Sequence, residues 1–122
     1  MPYAYRKNER IRKNSEFASV MKGKRLSLDG LSLFYSSNET GNFRVGISVG
    51  KKLGNAVTRN RIRRRIRASI MKALGQTSAG YDLVFVARRE LAAADSTAIM
   101  KAVEALLRRT SLRINKSEGT VS

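Results

Sequence analysis

Apolar residues near the start of the chain recur at the spacing of a helix. Phe17, Val20 and Met21 stand at positions i, i+3 and i+4, which lie on one face of an α-helix. Glu16 precedes them and suits the positive end of the helix dipole. The pattern predicts a short helix over about residues 15–22.

The next part of the chain alternates apolar and polar residues, as half-buried strands do. Two short runs, at 26–28 and 31–36, are separated by Asp29-Gly30, a dipeptide typical of a tight hairpin turn. A cleaner alternation follows at 43–49, with apolar residues at every second position. Two or three antiparallel strands are predicted here. The second face of the last strand carries small and basic residues, which leaves room for something to lie on it.

The second half of the chain predicts a helix, a buried strand and another helix. A stripe of isoleucines indicates a helix over about 57–74. The run 81–87 is apolar at both parities, as expected of an inner strand covered on both faces. Asp95 or Ser96 caps a final helix predicted at about 96–111. Because a helix joins the last two strands, these strands are candidates for parallel neighbours.

The predicted fold class is α+β, with helices packed against a small sheet in one sandwich. A single domain is predicted over residues 1–122. Residues 1–13 form a basic tail, and residues from about 113 to 122 lose periodicity and are expected to fray.

Composition excludes several kinds of chemistry. The 122 residues include no Cys and no His, so disulfides, Cys/His zinc sites and triads built on His are impossible. No apolar run is long enough to span a bilayer, and no secretory signal is apparent, so a cytoplasmic location is expected. With 25 Lys+Arg against 9 Asp+Glu, the net charge is +16. Such a charge favours a polyanionic partner, with nucleic acid the leading candidate and an anionic membrane surface the alternative.

The positive charge is concentrated in the middle of the chain. No acidic residue occurs between Glu39 and Asp82, while ten basic residues do. Five arginines within residues 61–67 lie on the helix side opposite the isoleucines. A solvated face normally mixes both signs of charge, and the apolar face of this helix is needed for the core, so RNA or DNA is favoured over solvent or membrane.

One segment resembles a known signature. The strand at 43–49 runs into a Gly-Asn-Ala-Val turn and an Arg-Asn-Arg helix, which is similar to the signature of the bacterial ribonuclease P protein family. In this chain the two motifs are Gly54-Asn55-Ala56-Val57 and Arg59-Asn60-Arg61. The similarity is dense over residues 43–67 and extends more loosely from about residue 8 to 112.

The resemblance implies both a fold and a function. The family fold is an α-β-β-β-α-β-α sandwich with a left-handed crossover between its parallel strands, shared with a domain of a ribosomal protein. The family's protein assists a catalytic RNA in removing the 5′ leader of precursor tRNA. The RNA holds the catalytic Mg²⁺ ions, and the protein itself has no catalytic residue, no metal site, no small-molecule substrate and no membrane partner. The expected partners are therefore the ribonuclease P RNA and precursor tRNA.

The resemblance also implies two binding surfaces. The residues expected to meet the catalytic RNA are Lys51, Lys52, Gly54, Asn55, Arg59, Asn60, Arg61, Arg63, Arg64 and Arg67. The single-stranded leader is expected in a cleft between the first helix and the sheet, with contacts from Arg12, Lys13, Phe17, Met21, Tyr35, Arg44 and Ser48. Aromatic rings stack on bases without demanding a sequence, and cations follow the backbone.

Structural interpretations stand beside several of these roles. Asn60, near the start of its helix, also suits a hydrogen bond to its own backbone, and Gly54 suits a positive φ in the turn. Phe17 is equally suited to anchoring its helix, and Tyr35 shares a strand face with apolar residues. Met21 stands where an aromatic residue is frequent in the family. A thioether can still pack on a base.

Two other functions remain open from the residues alone. A ribosomal or other structural RNA-binding protein would have the same composition. A stand-alone nuclease would need converging carboxylates, which are not visible at local spacing.

Overall fold

The computed structural model describes residues 11, 14–38, 44–74 and 80–110. These residues form three α-helices and four strands, with a 3₁₀ turn after the third strand and another after the fourth. In chain order the elements are α1 Asn14–Met21, β1 Lys24–Leu28, β2 Leu31–Ser37, β3 Arg44–Val49, the first 3₁₀ turn Lys51–Leu53, α2 Ala56–Leu74, β4 Tyr81–Ala87, the second 3₁₀ turn Arg89–Ala93 and α3 Ser96–Arg109.

The four strands form one sheet in the order β1-β2-β4-β3. β1 and β2 form the predicted hairpin, with Leu28 opposite Leu31 across the Asp29-Gly30 turn. Both turn residues have positive φ, 52° at Asp29 and 86° at Gly30, as a two-residue hairpin turn requires. β3 is the parallel neighbour of β4, as the joining helix suggested. β2 pairs antiparallel with β4, so β2 and β3 are consecutive in the chain without being neighbours.

The inner position of β4 follows from its composition. Leu83 and Phe85 point to one face of the sheet and Val84 to the other, and all three are fully buried. A strand that is apolar at both parities has to be covered on both faces, which places it at the centre of the sheet.

The larger core lies between the sheet and the pair α2 and α3. The isoleucine stripe of α2, Ile62, Ile66 and Ile70, is at most 2% exposed and packs on this face. Burial of each such side chain contributes about 1.5–3 kcal/mol. This burial offsets the repulsion among the arginines on the opposite side of the helix.

A smaller core lies on the other face of the sheet, beneath α1. Val20 packs there with Phe34 and Val84, and Phe17 lies at its margin. The element order is the one predicted, and helices pack on both faces of the small sheet, α1 on one and the pair α2 and α3 on the other. Predictions for residues 1–10, Arg12, Lys13, Phe43 and the frayed end at 113–122 lie outside the described residues.

No helix of the described ranges is long and apolar enough to cross a membrane.

Candidate nucleic-acid interface

The cationic helix α2 begins at an asparagine cap. The side-chain carbonyl of Asn55 accepts a hydrogen bond from the Thr58 amide at 2.9 Å, which satisfies one of the free donors of the first turn. Gly54 precedes the cap with φ of 132°, so the alternative role considered for Gly54, a positive φ, is what the structure has. These two residues set the direction in which α2 leaves the 3₁₀ turn.

Residues of the predicted RNA surface hold one another in place in two pairs. The Arg63 guanidinium donates to the side-chain oxygen of Asn60 at 2.8 Å, and Arg59 Nε donates to the Gly54 carbonyl at 3.1 Å. Asn60 therefore bonds a side chain of its own helix, whereas the alternative to RNA contact was a bond to its own backbone. The consequence is that Arg63 and Arg59 are oriented before any ligand arrives.

The outer side of α2 offers free cations. The exposed cations are Arg61 and Arg64 of α2 and Lys51 and Lys52 of the adjacent 3₁₀ turn. The uncharged Asn60 is exposed beside them. Within the described ranges neither Arg61 nor Arg64 lies within salt-bridge distance of a carboxylate. The helix thus presents guanidinium groups whose planar donors suit phosphate oxygens.

A groove of about 430 Å³ runs beside α1 and wraps around β3. Ile47 and Ser48 both line it although successive strand residues point to opposite faces, so the groove follows the edge of the strand. Four side chains predicted to bind RNA meet in it: Phe17, Met21, Ser48 and Arg63. Three belong to the predicted leader surface and Arg63 to the catalytic-RNA surface, so the two surfaces are continuous.

Phe17 occupies the room left by a glycine. A Cβ atom built on Gly46 would lie 2.9 Å from two atoms of the Phe17 ring. The small residue on the second face of β3 therefore receives a ring from the same chain. Phe17 anchors α1 and at the same time lines the groove, while Met21 is 43% exposed at its rim.

Arg44 is engaged by two carboxylates. Its guanidinium lies 2.7 Å from Glu16 of α1 and 3.6 Å from Asp82 of β4. The Arg44 side chain is 22% exposed, and Asp82 is directly opposite it in the parallel register. These contacts tie α1 to the sheet and give Arg44 a structural role in the protein by itself.

Tyr35 is not in the cleft between α1 and the sheet, contrary to the placement predicted. Side chains alternate along β2, so Tyr35 shares the α2–α3 face with Leu31 and Leu33 and packs against the larger core. Phe34 is the aromatic residue of β2 that faces α1. The Arg25 guanidinium lies 5.8 Å from the centre of its ring.

Two cations after β4 were not among the predicted site residues. Arg88 and Arg89 line a groove of about 610 Å³ together with Lys51 and Lys52. Val86 lines both this groove and the groove beside α1. The signal was present, because two consecutive arginines follow directly on a buried strand and strand ends are where a sheet presents polar side chains.

The described residues contain no group of three or more His, Cys, Asp or Glu side chains that could hold a metal ion. The expected contacts of Arg12 and Lys13 with the leader concern residues outside the described ranges.

Proteins of known function resemble this chain over most of its length. The family model described as Ribonuclease P matches residues 5–111. The chain belongs to the ribonuclease P protein family. The ribonuclease P protein component of Bacillus cereus is 36% identical over 114 residues, which cover 92% of this chain and 96% of that protein. The family therefore decides against the ribosomal alternative and places the chain in tRNA processing as a component of ribonuclease P.

Solved structures show the same fold. The ribonuclease P protein of Staphylococcus aureus superposes with a TM-score of 0.77 at 32% identity, covering 93% of this chain and all of that one. The protein of Thermotoga maritima gives a TM-score of 0.75 at 27% identity, covering 84% of this chain and 97% of that one. The α-β-β-β-α-β-α order predicted from the resemblance is confirmed.

Proposed function

We propose that this ribonuclease P subunit binds the catalytic RNA through α2 and the leader of precursor tRNA through the groove beside α1. One observation carries the proposal: Arg63 of the cationic helix and Phe17 of α1 line the same groove. A single-stranded leader held against Phe17 and Met21 would thus lie beside phosphates of the catalytic RNA held by α2. The two ligands would be aligned by one rigid sheet.

Chemistry in this complex is assigned to the RNA. The chain has nine acidic residues and no histidine, and the described part offers no metal-binding group of three or more. We propose that the catalytic Mg²⁺ ions are held by the RNA partner, as the resemblance to the family implies. The protein's contribution is electrostatic and steric: arginines neutralise crowded phosphates, and the groove fixes the leader.

The groove suits a single strand without reading its sequence. Phe17 offers a ring for stacking, Met21 a polarizable thioether, and Ser48 a hydroxyl that both donates and accepts hydrogen bonds. Arg88 and Arg89, with Lys51 and Lys52, extend the positive charge beyond Val86. Stacking groups next to a cationic track are the usual means of holding single-stranded RNA. A cytoplasmic location accords with this role.

A cleavage assay tests the proposal. Precursor tRNA is incubated at low Mg²⁺ with the ribonuclease P RNA alone, with this protein alone, and with both. We expect efficient cleavage only with both, because the protein supplies charge neutralisation that high Mg²⁺ otherwise provides. Cleavage by the protein alone would show that the chemistry was assigned to the wrong molecule, and no enhancement by the protein would refute the proposed function.

A further inference from the structure

A further cationic groove lies between α2 and α3, and none of the residues assigned above lines it. It has a volume of about 300 Å³. Its basic residues are Arg65 and Lys72 of α2. The remaining lining residues are Ala68, Ser69, Ser96, Thr97 and Met100. This α2–α3 groove contains no acidic side chain among its lining residues.

The two cations of the groove are poorly satisfied by the protein. Lys72 Nζ lies 3.9 Å from Met100 Sδ, and a thioether is a weak acceptor. The Arg65 guanidinium has no hydrogen-bond or ion-pair partner within the described ranges, although the Arg65 carbonyl accepts from Ser69 Oγ at 2.8 Å. The neighbouring carboxylate, Asp95, is engaged in capping α3 through the Ala98 amide at 2.8 Å. A strongly hydrated anion would thus find donors and no competing carboxylate.

The spacing of the cations favours an extended polyanion over one small ion. Arg65 and Lys72 are two helical turns apart, which is about 10 Å along α2. Ser96 and Thr97 provide hydroxyl groups on the opposite wall. Arg61, an exposed residue of the proposed RNA surface, stands one turn before Arg65 on the same side of α2.

We infer that the α2–α3 groove binds backbone phosphates of the catalytic RNA through Arg65 and Lys72. The RNA contact of α2 thereby continues around the helix and reaches α3. This inference rests on the proposed function, because it extends the same RNA surface. The occupant is identified by charge complementarity and by continuity with the exposed arginines of α2.

The salt dependence of RNA binding tests the inference. The affinity of the full chain for ribonuclease P RNA is measured at several salt concentrations, for the unchanged protein and for the double variant Arg65→Gln, Lys72→Gln. The slope of log K against log salt is negative, and loss of two phosphate contacts is expected to reduce its magnitude by about 1.4–1.8. The matched control is Lys101→Gln, Arg108→Gln, which removes the same charge from exposed positions of α3 outside the groove. The control is expected to change the slope by less than about 0.5.

A second pair of variants tests the groove without removing a cation. Ala68 is exposed between Arg65 and Lys72, so Ala68→Glu places a carboxylate beside both. We expect Ala68→Glu to lower RNA affinity about tenfold or more, and Ala68→Gln, of equal size, to lower it by less than about threefold. Circular dichroism of each variant confirms that the fold is retained.

The outcomes separate the inference from the proposed function. If Arg65→Gln, Lys72→Gln matches its control and Ala68→Glu matches Ala68→Gln, the inference is overturned. If Arg61→Gln, Arg64→Gln also leaves the slope unchanged, the proposed function fails with it. Loss of binding to phosphatidylserine vesicles with RNA binding intact would overturn the inference in favour of a membrane contact.

Discussion

The ring of Phe17 rests on the backbone of Gly46, at a distance that leaves no space for a side chain. A Cβ atom at Gly46 would lie 2.9 Å from Cε1 and Cζ of the ring and 3.2 Å from Cβ of Ile11. The glycine of β3 therefore leaves the space into which the Phe17 ring of α1 packs, and this contact fixes one wall of the groove. The two roles considered for Phe17, core anchor and groove residue, are compatible because Phe17 is only partly buried: it packs against the smaller core and also lines the groove.

Replacement of Gly46 by alanine is expected to destabilise the protein by about 1–3 kcal/mol. The added methyl group would overpack the contact with Phe17 and displace α1 from the sheet. Urea unfolding followed by circular dichroism measures the loss. Gly50→Ala is the matched control, since a Cβ at Gly50 meets nothing within 4 Å. We expect its effect to stay within about 0.5 kcal/mol. Equal losses for both variants would mean that Phe17 does not depend on the glycine.

Replacement of Phe17 by leucine is expected to weaken binding of leader-bearing tRNA more than binding of mature tRNA. Leucine keeps much of the packing but cannot stack on a base, and stacking contributes about 1–3 kcal/mol. The ratio of the two affinities, measured with the assembled holoenzyme, should fall about fivefold or more.

Tyr35→Leu provides the control for this measurement, because Tyr35 lies on the opposite face of the sheet. The affinity ratio should stay within about twofold of that of the unchanged protein. A larger fall for Tyr35→Leu than for Phe17→Leu would move the leader to the other face and contradict the proposed groove.

The ion pair between Arg44 and Glu16 predicts coupled effects on stability. Arg44→Met would remove the guanidinium that contacts Glu16 and the mostly buried Asp82, and we expect a loss of about 1–2 kcal/mol, between the values for exposed and buried pairs. In the Glu16→Gln background the same change should cost about 0.5–1 kcal/mol less. A double-mutant cycle in urea measures the difference, and strictly additive effects would show that the contact contributes nothing.

The exposed arginines of α2 predict a change in the salt dependence of assembly. The double variant Arg61→Ala, Arg64→Ala should weaken binding to ribonuclease P RNA. It should also reduce the magnitude of the slope of log K against log salt by about one unit per lost phosphate contact. Gel shifts over a range of salt concentrations measure both quantities. The Lys101→Gln, Arg108→Gln control removes two charges elsewhere, and an equal change there would point to net charge alone.

The sequence predicted the elements of this fold well because their signals are local. The Asp29-Gly30 turn, the isoleucine stripe of α2 and the Asp95 cap of α3 each depend on neighbours a few residues away, and all three are present. The parallel pairing of β3 with β4 followed from the helix that joins them. The insertion of β4 between β2 and β3 was not predicted, since pairing between distant strands leaves no local pattern.

The candidate site was predicted less completely. Phe17, Met21, Ser48 and Arg63 were each named for binding RNA, but their meeting in one groove depends on how α1 and α2 pack at the edge of β3. Tyr35 was placed in the cleft by resemblance, although the alternation of β2 already grouped it with Leu31 and Leu33. For Arg44 the resemblance suggested leader contact, and the two carboxylates that engage it come from α1 and β4.

By itself the sequence determined the charge, which follows from composition. It also determined the periodicities and the family motif, because these depend on residues close together along the chain. It thereby determined which helix carries the arginines and which side of that helix they occupy. Tertiary structure alone decided that a glycine of β3 receives a ring of α1, that Arg63 lines the groove with Phe17, and that Arg65 and Lys72 face α3. The physical reason is that these contacts join elements whose relative placement is set by burial of the two cores, a property of the whole chain.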